Sequence, residues 1–347
     1  MSSLSIAPCP VKARLLREVA RGRTRPESPK TRPQRRKGGL PSELAGLHVE
    51  ELAVCSEEAG PAGLHPQAWV PLRLIRSAAA AASPLPTVVL LHYTSGNMTG
   101  MAPQAAVLAR RGYLVVCIDL RYHGRRNFSR LDDFAAYQAA LVAAWHGSGE
   151  RPFLLDNVWD LMVVADYLVQ SRTDVDPSRI AAIGVSLGGM HAWLWAAADA
   201  RVAAAVPLIA IQSFRYAIDE NCYHGRVSSI PQVFQVAAKD LGKEAVDAEV
   251  VAVVWERLTP GLVDAYDAPA SLPIIAPRPL LVVCGQADPR CVIDGVYSSM
   301  QAAVEAYAAA GAEDAVDLIV EEGVGHVCTP TMWTAAFDWL DEKLQKA

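Results

Sequence analysis

From residue 47 onward, short apolar runs alternate with longer stretches whose apolar positions recur at three- and four-residue spacing. Thr87–His92, Leu114–Asp119, Arg179–Ile183, Val202–Ile209, Pro279–Gly285 and Val316–Val320 are runs of the kind that strands buried on both faces require. Gln104–Arg111, Asn157–Ser171 and Met190–Ala198 predict helices between them. In the second of these, Val158, Leu161, Met162, Ala165 and Leu168 share a face, with Asp156 as the expected N-cap. Leu47–Cys55 and Ala68–Arg76 read as a leading pair of strands and Ala78–Pro86 as a loop. Strands alternating with helices predict an α/β fold built on a doubly wound, mostly parallel sheet, which binds ligands outside the carboxyl ends of its strands. Two connections are too long to be simple turns, near 122–156 and 211–277. Aromatic residues in the first (Phe128, Phe134, Tyr137, Trp145, Phe153) and periodic apolar residues in the second (Val233, Val236, Leu241, Val250, Val253, Val254, Leu258) predict ordered, helical cap insertions.

The chemistry concentrates at three strand ends. Gly184-Val185-Ser186-Leu187-Gly188-Gly189 lies between the Arg179–Ile183 strand and the Ala-rich helix that follows. Strand, sharp turn and helix form the setting of a nucleophile elbow, which lifts a serine hydroxyl clear of the sheet. A serine needs a base, and the base needs an orienting carboxylate. Asp288 follows the Pro279–Gly285 strand and His326 follows Val316–Val320, so the order along the chain is Ser, acid, His. Asp294 is a rival acid that lies farther from its strand end. His92, His123, His191 and His224 compete with His326, but only His326 comes after the final strand. His191 is expected to pack, and His92 to hold the loop after its strand. Asp119, Asp317 and Glu321 are expected to be structural.

From residue 47 to 347 the chain resembles the α/β-hydrolase superfamily, with most similarity to its dienelactone-hydrolase-like and oligopeptidase-like branches. The features carrying the resemblance are the second elbow glycine, Gly189, and the stretch Gly285-Gln286-Ala287-Asp288-Pro289-Arg290. Asp119-Leu120-Arg121-Tyr122-His123-Gly124-Arg125 and Ile274-Ile275-Ala276-Pro277-Arg278-Pro279-Leu280 are similar to a plant and algal group of that type. The resemblance implies a serine hydrolase of esters or amides. It also implies an oxyanion hole made by the backbone N–H of Leu187 and one from the loop His92-Tyr93-Thr94-Ser95-Gly96. Thr94 is the first candidate there and Tyr93 the next, because Tyr93 stands where many relatives carry glycine.

Composition changes the picture mainly at the N-terminus. Residues 1–39 hold eleven Lys/Arg against two Asp/Glu, a net of +9, which leaves −14 on the remainder of a chain whose total is −5. An acidic body argues against nucleic acid as its ligand. The basic leader, 1–46, with Ser2, Ser3, Ser5, several prolines and an amphipathic stretch from Val11 to Ala20, has the composition of an organelle transit peptide. That reading places the protein in a chloroplast or mitochondrion; a disordered basic tail is the alternative, in an otherwise cytoplasmic protein. Neither version packs on the body. No apolar run is long enough for a membrane span. Seven cysteines, two inside apolar strands, predict free thiols and not a disulfide framework, and no Cys/His spacing suggests zinc.

The leading expectation is a serine hydrolase of carboxylic esters, with thioesters or small amides as further substrates, acting on a small molecule through Ser186, His326 and Asp288. No cofactor and no metal are expected. A peptidase of oligopeptidase type and a non-catalytic binding protein are the alternatives. Arg121, Arg125 and Arg126 follow a strand end and are placed either to meet a substrate carboxylate or to lie in solvent or in salt bridges to the 211–277 segment.

Overall fold

A computed structural model describes residues 9–34, 38–58, 64–79 and 84–345. Ser2, Ser3 and Ser5 of the expected leader, and residues 80–83 of the expected loop, lie outside them. Nine strands form one sheet: β1 (Thr31–Pro33), β2 (Leu47–Cys55), β3 (Trp69–Ser77), β4 (Leu85–Leu91), β5 (Leu114–Ile118), β6 (Val175–Val185), β7 (Val202–Leu208), β8 (Leu280–Gly285) and β9 (Val316–Glu321). Their spatial order is β1-β2-β3-β5-β4-β6-β7-β8-β9. The first three and the β3–β5 pair are antiparallel, and every later pairing is parallel.

Alternation along the strands decides which helices cover which face. Val88 and Leu90 of β4, Val115 and Cys117 of β5 and Ala181 and Ile183 of β6 join one core cluster. Helices α2 (Ala102–Arg110) and α13 (Pro330–Leu340) complete it, through Leu108 and Phe337 among others. Val89, Leu91, Val116, Ile118, Ala182 and Ile180 face the other way, toward α4 (Leu155–Ser171), α5 (Leu187–Ala198) and α12 (Ile293–Ala309). Every residue of α5 is buried, including Trp193 and Trp195. Because both faces are covered, the central strands read as continuous apolar runs.

The two insertions are ordered. The first holds α3 (Asp133–Trp145), N-capped by Asp132, whose carboxylate accepts the Ala135 amide at 2.8 Å. The second holds α6 (Phe214–Asp219), α7 (His224–Val227), α8 (Pro231–Asp240), α9 (Ala248–Leu258), α10 (Leu262–Ala265) and α11 (Ala268–Ser271). Asp247 caps α9 by accepting from Val250 N at 2.9 Å, a bond worth about 1 kcal/mol in typical helices. Trp255 organises this layer. It stacks on Phe153 with centroids 5.0 Å apart and meets Phe214 and Phe234 edge-on at 5.2 and 5.1 Å.

Three expectations need correction. Asp156 is not the N-cap of α4; Leu154 holds that position, and Asp156 lies buried in the first turn as an acceptor for the Arg151 amide at 2.6 Å. The N-terminal segment is not an unpacked leader. Residues 10–20 form helix α1, whose Leu15 and Val19 are fully buried against the face built by α4 and α5. Residues 31–33 are β1, paired with Leu52–Val54. The basic residues have partners on the acidic body: Arg23 reaches Glu57 at 3.0 Å and Asp156 at 3.1 Å, Arg25 reaches Asp166 at 3.2 Å, and Glu18 accepts from Arg151 at 2.8 Å. Charge opposite in sign to the body binds the segment to it, and two apolar side chains, about 1.5–3 kcal/mol each when fully buried, supply the anchor.

The third correction concerns the arginines. Arg121, Arg125 and Arg126 neither open on solvent nor pair with residues 211–277. Arg121 grips Asp160 of α4 through two bonds of 3.0 Å and reaches Glu57 at 2.5 Å. Arg126 shares Asp160 at 2.8 Å, and Arg125 bonds Glu51 at 3.0 Å. Burial alone would raise the Asp160 carboxyl, but Arg121 and Arg126 outweigh it and hold that group well below the usual carboxylate range. Among the described residues no helix is long and apolar enough to cross a membrane.

Candidate active site

Sheet topology brings the three chosen side chains to one edge. Ser186 follows β6, Asp288 follows β8 and His326 follows β9, all at carboxyl ends of parallel strands. The turn at Ser186 has φ 52° and ψ −111°, a left-handed conformation that costs a non-glycine residue about 1–3 kcal/mol. Its neighbours must be glycine for a steric reason. A Cβ on Gly184 would lie 2.3 Å from the Gly188 carbonyl carbon, and one on Gly188 would lie 2.5 Å from the carbonyl oxygens of Leu91 and His92. The close packing of elbow, β4 and α5 thus leaves no room for larger residues.

Ser186 Oγ lies 2.8 Å from His326 Nε2, and His326 Nδ1 lies 2.7 Å from Asp288 Oδ2. The other carboxylate oxygen, Oδ1, accepts the Arg290 amide at 2.7 Å and the Cys291 amide at 3.1 Å, which fixes the carboxylate plane. Since carboxylate Oδ2 can only accept, His326 carries its proton on Nδ1 and turns a lone pair at Nε2 toward the serine. Burial lowers the His326 pKa from its ordinary 6.5, outweighing the raising effect of Asp288, and Arg290 and Arg226 push in the same direction. The imidazole is therefore held neutral at physiological pH. Asp294 sits in the first turn of α12, and its charge acts on Tyr216 and Cys222.

Two other histidines serve the loop that faces Ser186. His92 donates from Nδ1 to the Tyr93 carbonyl at 2.8 Å and accepts the Leu120 amide at Nε2 at 3.0 Å. His123 donates from Nδ1 to the Arg121 carbonyl at 2.9 Å and accepts the Ser95 amide at 3.3 Å. Both arrangements require a neutral ring. Burial enforces it, taking His92 well below its usual range and His123 to about 4. The loop closes on itself through Gly96 N to Tyr93 O at 2.9 Å. Asp119 anchors it from β5 by accepting Met98 N at 2.8 Å and Arg125 N at 2.8 Å. Among the described residues, the amides of Tyr93, Thr94 and Leu187 donate to no protein acceptor. His191 is buried within α5 and donates to the Phe153 carbonyl at 3.0 Å. Asp317 accepts from Trp339 Nε1 at 2.7 Å and Glu321 from Thr329 at 2.6 Å, structural tasks for both.

A cavity of about 500 Å³ opens over Ser186 and His326, walled by Tyr93–Ser95, by Met101 and Gln104 of α2 and by Trp333 of α13. Arg290 and Cys328 also line it. None of the lining residues comes from 122–156 or 211–277. The second insertion braces the acid turn instead: Gln212 Nε2 donates to the Arg290 carbonyl at 2.6 Å, and Gly225 packs so tightly on Pro289 that a Cβ would lie 2.0 Å from its carbonyl oxygen.

The fold and this edge match a known family. A family model described as the alpha/beta hydrolase fold matches residues 86–221. The chain has the α/β-hydrolase fold. "Putative hydrolase YtaP" of Bacillus subtilis (strain 168) is 28% identical over 187 residues, which are 54% of this chain and 53% of that protein. The chain thus matches about half the length of that curated relative. Among solved structures, methylesterase BT1017 superposes with a TM-score of 0.63 at 18% identity, covering 95% of this chain and 63% of the other. Acetyl xylan esterase 1 from Thermoanaerobacterium sp. JW/SL YS485 gives 0.62 at 16% identity over 97% and 95% of the two chains.

Among the described residues, one cluster has donor atoms close enough for a metal ion, with ligand atoms of Asp288, Cys291 and His326 within 4.8 Å of one another. Its chemistry fits poorly. The Asp288 oxygen and His326 Nδ1 are spent on each other, and burial holds the Cys291 thiol far above its usual range while it donates to the Ile209 carbonyl at 3.3 Å. A metal would need the thiolate. Sequence reasoning overlooked Gln212 as the brace and gave His123 no structural part. It valued Arg290 only as part of the Asp-Pro-Arg stretch, because cavity walls are assembled from loops remote in sequence.

Proposed function

We propose that this chain is a serine hydrolase that cleaves carboxylic esters through a covalent acyl-enzyme. The observation carrying this reading is the continuous relay from Ser186 Oγ through His326 to Asp288, at 2.8 and 2.7 Å, opening on a cavity. Ser186 attacks the ester carbonyl while His326 Nε2 accepts its proton. The imidazolium, stabilised through Nδ1–H by Asp288, then protonates the departing alkoxide. Water, deprotonated by the same nitrogen, releases the acid. The amides of Leu187 and Thr94, with Tyr93 as the alternative, receive the oxyanion. Leu187 is helped by its place at the first turn of α5, where the helix dipole is positive. Thioesters and small amides can follow the same path.

The names of the similar proteins, a hydrolase and two esterases, agree with this class. A fluorophosphonate probe tests the reading. Mapping should find the phosphonyl group on Ser186, and the Ser186→Ala protein should neither label nor turn over an activated ester. Ester turnover that survives in Ser186→Ala overturns it.

A further inference from the structure

Among the described residues lining the cavity over Ser186, where His326 is neutral, one is charged, an arginine, and none is Asp or Glu. Arg290 is half-buried, and among the described residues its guanidinium has no carboxylate partner. Its main chain, by contrast, is fully engaged: the amide donates to Asp288 Oδ1 at 2.7 Å and the carbonyl accepts from Gln212 at 2.6 Å. The backbone is therefore fixed while the side chain is left for something else. Several arginines elsewhere have acidic partners instead, as with Arg121, Arg125, Arg126, Arg172 and Arg201.

A second guanidinium lies close enough for its charge to meet that of the first. Arg226 is buried, lies over the Phe153 ring at 5.5 Å and donates to Met190 Sδ at 2.9 Å, with its Nε left without a partner. The charges of both arginines act on His326, and Arg290 acts on Arg226. Against them stands Asp288 alone, whose two oxygens are already taken by His326 and by two amides. A half-buried cation at the mouth of a site without acidic walls favours an anion, and the planar guanidinium suits a carboxylate bound in two-pronged fashion.

We propose that Arg290 recognises a carboxylate on the substrate, so that the enzyme prefers esters bearing a negative charge on their acyl or alcohol part. This rests on the serine-hydrolase reading above and names its substrate class. The reaction is otherwise unchanged: the ester C–O bond breaks, water supplies the hydroxyl, and the extra carboxylate takes no part in electron flow.

The test uses matched esters with the full chain. Monomethyl adipate is compared with methyl hexanoate for charge on the acyl side, and 4-acetoxybenzoate with 4-methylphenyl acetate for charge on the alcohol side. In at least one pair kcat/KM should favour the anion by about tenfold or more, the size expected of one charge-assisted contact. In Arg290→Gln that ratio should fall to about one, and Arg290→Lys should restore part of it. The ratio is internal to each variant, so a partial loss of folded protein cancels. Ser186 is labelled with a fluorophosphonate in parallel. Labelling with no preference in either pair, or with neither anionic ester turned over, overturns the role of Arg290 alone. An Arg290→Gln protein that slows both members of a pair equally also overturns it, placing the guanidinium on the reacting carbonyl. If Ser186 does not label and no ester is cleaved, the hydrolase reading fails and this one with it.

Discussion

Two buried polar clusters sit near the carboxyl edge of this sheet, and their difference is instructive. One is Ser186, His326 and Asp288; the other is Arg121 and Arg126 with Asp160, Asp156 and Glu57. Both gather residues remote in sequence, and both shift the titration of their members. In the arginine cluster the bonds close on themselves at Asp160, which accepts from Arg121, Arg126 and Ser56 at 2.6 to 3.0 Å, although Arg121, Asp156 and Glu57 also line a cavity of about 300 Å³. The triad ends on a serine hydroxyl in a strained turn that faces a cavity. Perturbed titration and burial accompany structure and chemistry alike. Both also border a cavity, so what sets the proposed reactive cluster apart is a chain of bonds that ends on a hydroxyl in a strained turn.

If that distinction is right, damage to the two clusters should separate activity from stability. Ser186→Ala should lower turnover of an activated ester about 10⁴-fold or more while the melting temperature stays near that of the parent. His326→Ala, Asp288→Ala and their double variant should converge on a similar low rate, because groups that act as a unit are not additive. Asp294→Ala should cost far less, since its charge faces Tyr216 and Cys222. An inactive Asp294→Ala beside an active Asp288→Ala would transfer the acid's role.

The arginine cluster predicts the reverse pattern. Asp160→Ala leaves Arg121 and Arg126 buried without their shared carboxylate, and breaking such a pair costs about 3–5 kcal/mol. The variant should unfold at markedly lower urea concentration, while the fraction that remains folded keeps parental turnover per labelled Ser186. Loss of activity without loss of stability would mean that this cluster, too, belongs to the reaction. The N-terminal segment is the outer wall of the same cluster, through Arg23 on Glu57 and Asp156. Leu15→Ala should therefore destabilise by about 2–5 kcal/mol, the usual range for a buried leucine. A melting temperature unchanged by Leu15→Ala would remove α1 from the folded body.

What could be read from the chain follows the same division. The grouping of Ser186, Asp288 and His326 was legible because the expected chemistry restricts residue types and the fold restricts their order, so each could be tied to a strand end. The central strands were legible because burial on both faces leaves an uninterrupted apolar run. The N-terminal segment was misread because a count of charges records no partners: Arg23 and Arg25 look unattached until Glu57, Asp156 and Asp166 are found opposite. The amphipathic stretch from Val11 to Ala20 reads as a targeting signal, whereas its Leu15 and Val19 anchor α1 in the body. The arginines after β5 were misread in the same way, since Asp160 lies a whole helix away. A carboxylate-binding arginine was sought among those three, whereas the one that lines the cavity follows Asp288. Spacing cannot distinguish an arginine that faces a carboxylate of its own chain from one that faces empty space.

The smallest effect expected is in the pH profile, and it tests whether the cavity's charge reaches the catalytic base. Only neutral His326 can accept the serine proton, so kcat/KM should rise with pH through the deprotonation of this ring. Burial, which outweighs the attraction of Asp288, and the added repulsion of Arg290 and Arg226 all favour the neutral form; the midpoint of the rise should lie below the ordinary histidine value of 6.5. Arg290→Gln removes one of the lowering influences and leaves burial and Asp288 in place, because Asp288 is held by the backbone amide of residue 290 and not by its side chain. The midpoint should therefore move upward, toward 6.5, with the maximum at high pH reached later. Added salt should shrink this shift, since the half-buried guanidinium is partly screened. A midpoint that does not move in Arg290→Gln would place the guanidinium too far from His326 to act on it, and a midpoint above 6.5 in the parent would mean that Asp288, not burial, governs the base.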